Sequence, residues 1–202
     1  FLFPQRRNMS LRLRYRKNSL LNNQLISGSE HRFQSGYSIR FRTALAPRTT
    51  AELHFARERK RRRDFGLDRL NLLSHNGSII FANRPRPPLE VRVRIIGQQD
   101  ADRINEISAT LLGIIPEVSY AFKGKGRIRF EVDWSHVHTS DSTTFLPFDM
   151  AKGRRVGHSA RWLSGMDYRL GENFSLLMQY DGRKDPIRPT IHTGRAEVRA
   201  FF

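Results

Sequence analysis

The sequence predicts an all-β protein, an antiparallel up-and-down meander of about ten strands, on three observations. One stretch alternates apolar and charged residues strictly with period two. The same alternation recurs along nearly the whole chain. The connections between the alternating segments are by turns long and short.

The alternation is sharpest at 116–137, PEVSYAFKGKGRIRFEVDWSHV. Val118, Tyr120 and Phe122 share one parity, Lys123, Gly124, Lys125 and Gly126 form a tight turn, and Ile128, Phe130, Val132 and Trp134 resume the apolar parity. Residues two apart in a strand lie on one face, so this is a β-hairpin with one apolar face. Its other face carries Arg127, Arg129, Glu131 and Asp133. In a soluble sandwich the charged face would meet water and the apolar face a second sheet. In a membrane barrel the apolar face would meet lipid and the charged face the lumen.

Composition narrows the partners. The 202 residues suffice for one domain or one barrel. They carry 36 Lys+Arg against 19 Asp+Glu, a net charge of +17 and a pI near 11.3, which points to nucleic acid, phosphate or lipopolysaccharide. Cysteine is absent, which excludes disulfides, thiolate metal sites and a cysteine nucleophile. No run approaches the roughly 18 apolar residues of a transmembrane helix, but a barrel strand needs only about 10 alternating residues. The chain opens on Phe1 with no signal-peptide pattern, which suggests the C-terminal part of a longer or processed protein.

The elements follow in order. At 8–17, Met9, Leu11, Leu13 and Tyr15 face one way and Arg12, Arg14 and Arg16 the other, and 18–32 is polar and irregular. At 36–45, Tyr37, Ile39, Phe41 and Leu45 stand against Arg40 and Arg42, followed by a short turn at 46–49. At 50–59, Ala51, Leu53 and Phe55 oppose Glu52, His54 and Ala56. After the basic run RERKRRR at 57–63, the segment 64–76, with Leu67, Leu70, Leu72 and Leu73, suits a short helix or a strand equally. GSIIFAN at 77–83 is a strand that the proline-rich 84–88 is expected to break, because proline cannot donate to a ladder.

At 89–96, Leu89, Val91, Val93 and Ile95 alternate with Glu90, Arg92 and Arg94, and 97–105 is polar. The segment 106–115 leads into the central hairpin, with a bulge expected at Pro116. A long loop spans 139–157. At 159–170, Ala160, Trp162, Met166, Tyr168 and Leu170 oppose Arg161, Asp167 and Arg169. After a turn at 171–173 come Phe174, Leu176, Met178 and Tyr180, a Gly/Pro-rich loop at 181–189, and a final strand at 191–202.

Long connections at 18–32, 60–76 and 139–157 and medium ones at 97–105 and 181–189 alternate with short ones at 46–49, 84–88, 123–126 and 171–173. Short turns at one end and longer loops at the other is the arrangement of an outer-membrane meander, so the expected fold is a transmembrane β-barrel or part of one. Aromatics agree: Tyr15, Tyr37, Phe41, Phe55, Trp134, Trp162, Tyr168, Phe174 and Tyr180 all fall on the apolar parity.

The chain closes on AEVRAFF. Ala196, Val198, Ala200 and Phe202 resemble the C-terminal assembly signal of bacterial outer-membrane β-barrel proteins. The alanines are smaller than is common there, and Phe201 falls on the other parity. The chain is similar to the C-terminal barrel segment of large surface proteins of Gram-negative-type bacteria. That resemblance implies a single barrel domain over 1–202, outer-membrane location and a structural, porin-like pore or export role. Its implied partners are outer-membrane lipid and lipopolysaccharide, the barrel-assembly machinery and upstream domains of the same chain.

In such a barrel Arg12, Arg14, Arg40, Arg42, Arg92, Arg94, Arg127, Arg129, Glu131, Asp133, Arg161, Asp167, Arg169, Arg195, Glu197 and Arg199 would face the lumen, joined by Glu52 and Glu90. Unpaired buried charge is costly, so Arg–carboxylate ladders across neighbouring strands are expected, with a positive surplus. Arg57, Arg59, Lys60, Arg61, Arg62 and Arg63 are candidate contacts for lipopolysaccharide phosphates at the outer rim. Nucleic acid is not expected, because a nucleic-acid surface would want stacking aromatics on the arginines' own face, and the parity of the alternation is expected to put them on the opposite one. A soluble basic β-protein binding RNA or DNA is the alternative.

Enzyme signals are poor. Asp133, Ser135, His136, His138 and Asp141 cluster near one strand end, and an outer-membrane rim hydrolase using Asp133 and His136 is a second alternative. His136 and His138 offer two imidazoles to a metal without a visible third ligand. No catalytic residue, cofactor or metal is expected, and no phosphate loop, HExxH or nucleophile elbow is present.

Overall fold

A computed structural model of the chain describes residues 9–24, 28–64, 67–140 and 146–200. The strands are β1 (Ser10–Gln24), β2 (Gly28–Ala46), β3 (Thr49–Asp64), β4 (Leu67–Arg86), β5 (Leu89–Asp102), β6 (Ile107–Phe122), β7 (Gly126–Thr139), β8 (Gly157–Arg169), β9 (Phe174–Lys184) and β10 (Ile191–Ala200). All ten lie in one antiparallel sheet in chain order, and β1 and β10 are its two edges, so the sheet is open. There is no α-helix among the described residues, only a 3-10 turn at Ala151–Gly153.

Register converts the alternation into two faces. Residues directly opposite each other in an antiparallel pair share a face. Arg12 pairs with Arg40, Arg42 with Glu52, Glu52 with Ile80, Ile80 with Arg94, and Arg94 with Ile115. Glu117 then pairs with Glu131, Asp133 with Arg161, Arg161 with Arg183, and Asp181 with Thr193. One charged face therefore runs unbroken from edge to edge. The apolar face behind it carries Leu13, Ile39, Leu53, Ile79, Ile95, Ile114, Phe130, Met178 and Val198, all exposed.

Four expectations change. The segments 18–32, 60–76 and 97–105 are mostly strand rather than loop: β1 pairs with β2 to Gln24 opposite Gly28, and β3 with β4 to Asp64 opposite Leu67. Polar and apolar residues no longer alternate there, Leu20 and Leu21 being adjacent and Leu70, Leu72 and Leu73 falling on both parities, which erases the period-two signal while backbone pairing continues. These extensions all lie at the end away from the short turns, so the asymmetry between ends survives as strand length. The ambiguous 64–76 is strand from Leu67 onward.

Pro116 makes no bulge. The β5–β6 register passes through Val93 opposite Pro116 without a shift, and β6–β7 keeps one register from Ile114–Trp134 to Glu117–Glu131. The run LLGIIP only looked like a parity change because apolar residues occupy both faces: Leu111 and Ile115 are buried, Leu112 and Ile114 exposed. Nor does Pro85 end its strand. β4 continues to Arg86 through a register shift between Asn83 and Arg86, where a proline is tolerated.

The connection between β7 and β8 is the one long loop among the described connections, and its described part, 146–156, folds back over the charged face of β4–β7. Met150 and Ala151 are fully buried there with Leu72, Leu111 and Val137, joined by Leu70, Ile96, Ala109, Ile115 and Leu146. This cluster is the hydrophobic core of the chain. Ala151 and Lys152 take left-handed backbone angles, φ 48° and 56°, to turn the loop inward.

Candidate functional site

The charged face holds the ladders that its composition requires. Arg84, Glu90, Arg92, Glu117, Arg129 and Glu131 form one continuous ion network across β4–β7, with N–O distances of 2.9, 2.7, 3.5, 3.1 and 2.5 Å along it. Glu117 serves as the centre because it stands between Arg92 and Glu131 in the ladder. Towards the edges, Arg40 pairs with Glu52 at 3.2 Å, Arg161 with Asp181 at 2.7 Å, and Glu197 with both Arg195 at 2.9 Å and Arg199 at 2.7 Å. Most of these groups are partly exposed, so each pair contributes about 0–1 kcal/mol. The register places all eighteen of the charges expected to share a lumen on this one face.

The loop is clamped to this face by two carboxylates. Asp100, fully buried on β5, accepts hydrogen bonds from the Ala151 amide at 2.6 Å, the Ser74 hydroxyl at 2.5 Å and Gln98 Nε2 at 2.7 Å. Asp133 on β7 receives a two-pronged bond from Arg154, 3.0 Å from Nη1 and 2.6 Å from Nη2. Arg154 also donates to the Ser135 hydroxyl. A longer pair, Lys60 to Asp149 at 3.7 Å, ties the loop to β3. Asp102, next on the same face, accepts from the amides of Asn71 and Ile104 and from Asn105 Nδ2, which closes the β5–β6 turn.

Between loop and sheet lies a cavity of about 800 Å³. Its floor and walls combine Leu72, Ile96 and Ile115 with Arg94, Asn76 and Gln98, and Lys152 projects from the loop. Burial lowers the pKa of Lys152 below the ordinary lysine value, and the nearby Arg154 and Arg94 cations act in the same direction. None of Asp100, Gln98, Lys152 and Arg154 was singled out from the sequence. GQQDADR reads as a polar loop, and nothing in 146–156 announces that it folds inward.

The basic run divides between the faces. Arg57, Arg59, Arg61 and Arg63 lie on the apolar face, opposite Tyr37, Ser35, Phe33 and His31 of β2. Lys60 and Arg62 lie on the charged face, paired with Asp149 and, for Arg62, with Asp64 at 3.5 Å. Arg63 is held by Asp68 at 2.5 Å and Arg59 bonds Asn71 at 3.2 Å. The expectation that aromatics lie on the parity opposite the run is wrong for the odd-numbered arginines. Phe55 and Arg57 are two apart, and Phe33 is the direct neighbour of Arg61.

Below these arginines aromatic rings edge the apolar face. Tyr37, Phe55 and His75 follow one another at 6.5 Å across β2–β4. Trp134, His158 and His136 do the same on β7–β8, at 6.0 and 4.2 Å, and Tyr180 and Trp162 flank His192 on β8–β10, at 6.0 and 5.7 Å. At the short-turn end Tyr120, Phe122 and Tyr168 pack edge to face at 5.2 and 5.7 Å.

The proposed hydrolytic grouping does not assemble. Asp133 and Ser135 are on the charged face, held by Arg154, whereas His136 and His138 are on the apolar face, because neighbouring strand residues point oppositely. Asp141 lies outside the described residues, as does Phe202 of the C-terminal signal. Ala196, Val198 and Ala200 share the apolar face, opposite Met178, Leu176 and Phe174. Among the described residues no group of three His, Cys, Asp or Glu is placed to hold a metal ion. No protein-family model matches the chain, and no curated protein matches it.

Proposed function

We propose that this chain is a bacterial outer-membrane β-barrel component, its apolar face in lipid and its arginine-rich face lining a lumen, with a structural, pore or export role. The observation that carries the reading is the continuous exposed apolar face. It runs over all ten strands, with aromatics at both edges and arginines beyond one of them. A water-exposed apolar surface of that extent is foreign to a soluble monomer, where such patches reach a few hundred Å². Aromatic rings followed outward by cations match a bilayer interface. β1 runs away from the short-turn end and β10 returns to it, so the two edges are antiparallel and can close on each other or on added strands.

Arg57, Arg59 and Arg61 are the phosphate contacts of this reading, since within the run they alone face outward without an acidic partner among the described residues. Lys60 and Arg62 drop out of that role. The loop 146–156 fills part of the lumen, as side chains fill small barrels. The test is fractionation and gel mobility of the full chain in bacteria. The reading expects outer-membrane fractions, a requirement for detergent, and migration that changes on boiling. A soluble chain whose binding to RNA weakens steeply with salt would replace it with the nucleic-acid alternative, which the shared face of Phe33 and Arg61 supports.

A further inference from the structure

The two free edges of the sheet carry different charge patterns. On the charged face β1 presents Arg12, Arg14 and Arg16, all exposed, and the whole strand contains no acidic residue. None of the three arginines has an ion pair or a side-chain hydrogen bond among the described residues. β10 presents Arg195, Glu197 and Arg199 on the same face, and Glu197 holds both arginines, at 2.9 and 2.7 Å. The charges of one edge are paired within their own strand, and those of the other are unpaired cations.

A strand residue inside a sheet has a cross-strand neighbour on each side of its face. For Arg12 the inner neighbour is Arg40, and like charges directly opposite destabilise a sheet. Arg40 is itself drawn inward to Glu52, at 3.2 Å. Arg14 meets Ser38 and Arg16 meets Gly36, neither of them charged. Beyond Gly36 stands Glu58 of β3, which accepts from Gln34. Even with Glu58 counted, this corner of the charged face sets Arg12, Arg14, Arg16, Arg40 and Arg42 against only Glu52 and Glu58. In the middle of the sheet, by contrast, Glu117 stands between Arg92 and Arg129 and bonds both. The position where such an acid is missing is the open side of β1.

β10 does not fill it. In any register it would add two arginines and one glutamate, so that Arg12, Arg14, Arg16, Arg195 and Arg199 share Glu197, whether β10 belongs to the same chain or to a second copy. Two β1 edges side by side would set arginine against arginine. The residues before β1, FLFPQRRN, bring Arg6 and Arg7 and no acid. We propose that the free edge of β1 takes up a β-strand of another polypeptide, one that alternates acidic with apolar residues. Main-chain hydrogen bonds pair it to the edge, and its acids stand beside Arg12, Arg14 and Arg16 as Glu117 stands beside Arg92 and Arg129. Of the two ways to cover the edges, on each other or on added strands, this selects the second. It rests on register and charge alone, so it holds whether or not the apolar face meets lipid.

Binding of dye-labelled peptides to the full chain, in detergent or in plain buffer as its solubility requires, tests this. One peptide alternates glutamate with valine and its twin glutamine with valine, each kept soluble by a polyethylene glycol tail. The glutamate peptide is expected to bind about tenfold more tightly than its twin at low salt, an advantage that shrinks as salt rises. Arg12→Gln, Arg14→Gln and Arg16→Gln together remove the advantage, while Arg195→Gln and Arg199→Gln together leave it. A cysteine in the peptide is trapped as a disulfide by Leu13→Cys on β1 and not by Val198→Cys on β10. Circular dichroism of each variant separates lost binding from lost fold. Equal binding of the two peptides, an advantage that survives the folded β1 variant, or binding of neither peptide would overturn the proposal. So would a disulfide between Leu13→Cys and Val198→Cys, within one chain or between two, since it would show β10 on the edge.

Discussion

The centre and the edges of the sheet are built differently. In β4–β7 the loop supplies a second layer, and Leu72, Leu111 and Val137 are 0–1% exposed with satisfied carboxylates around them. In β1 both faces are open: Leu11, Leu13 and Tyr15 are 64–71% exposed, and the neighbouring arginines are exposed as well. Only one side of β1 and of β10 is hydrogen-bonded. The centre contains its own burial, whereas among the described residues the edges leave apolar side chains and a free backbone edge uncovered; in the proposed reading lipid would cover the first and another strand the second.

The largest expected contrast comes from truncating the same residue type in the two regions. Leu111→Ala opens a cavity under the loop and costs about 2–5 kcal/mol, whereas Leu13→Ala at the edge stays within about 0.5 kcal/mol. Urea unfolding in lipid vesicles measures both, and equal losses would erase the distinction. A charge on the apolar face comes next. Phe130→Arg is expected to cost about 2–4 kcal/mol in a bilayer, while Arg129→Gln, one residue away on the charged face, costs about 1 kcal/mol through its lost bonds to Glu117 and Glu131.

A smaller effect separates packing from lipid exposure. The Trp162 indole lies over Gly182 on the adjacent strand, where any Cβ would collide with it. Gly182→Val is expected to displace the ring at a cost of about 1–3 kcal/mol, with a shift in tryptophan emission when Trp134 is replaced by Phe. The smallest change concerns the loop. Lys152→Gly removes the strained left-handed lysine and is expected to stabilise by about 1 kcal/mol. Because burial lowers the Lys152 pKa, the unfolded chain binds more protons than the folded one between the lowered and the ordinary lysine values. This lysine therefore makes stability rise with pH across that alkaline window, a slope that the variant loses.

Much of the sheet was legible because its apolar face must stay apolar. Ile128, Phe130, Val132 and Trp134 could not alternate with Arg127, Arg129, Glu131 and Asp133 by any period but two. Strand ends were not legible, because beyond the apolar band Asn18, Lys60 and Gln99 are polar whichever way they point. The cavity was invisible for another reason. Arg154 and Ala151 gain meaning only from Asp133 and Asp100, which lie 21 and 51 positions away along the chain and meet them through the fold-back of 146–156. The parity of Arg57 to Arg63 was legible and was misjudged, since Phe55 stands two residues before Arg57.

The two-sided partition itself is most directly tested by cysteine scanning, which the absence of native cysteine makes clean. Single cysteines at 127–134 are labelled with a fluorophore in vesicles and exposed in turn to a brominated lipid and to aqueous iodide. Lipid quenching at Ile128, Phe130, Val132 and Trp134, with little at Arg127, Arg129, Glu131 and Asp133, is the predicted result. Quenching by lipid at neither set, or equally at both, would contradict it.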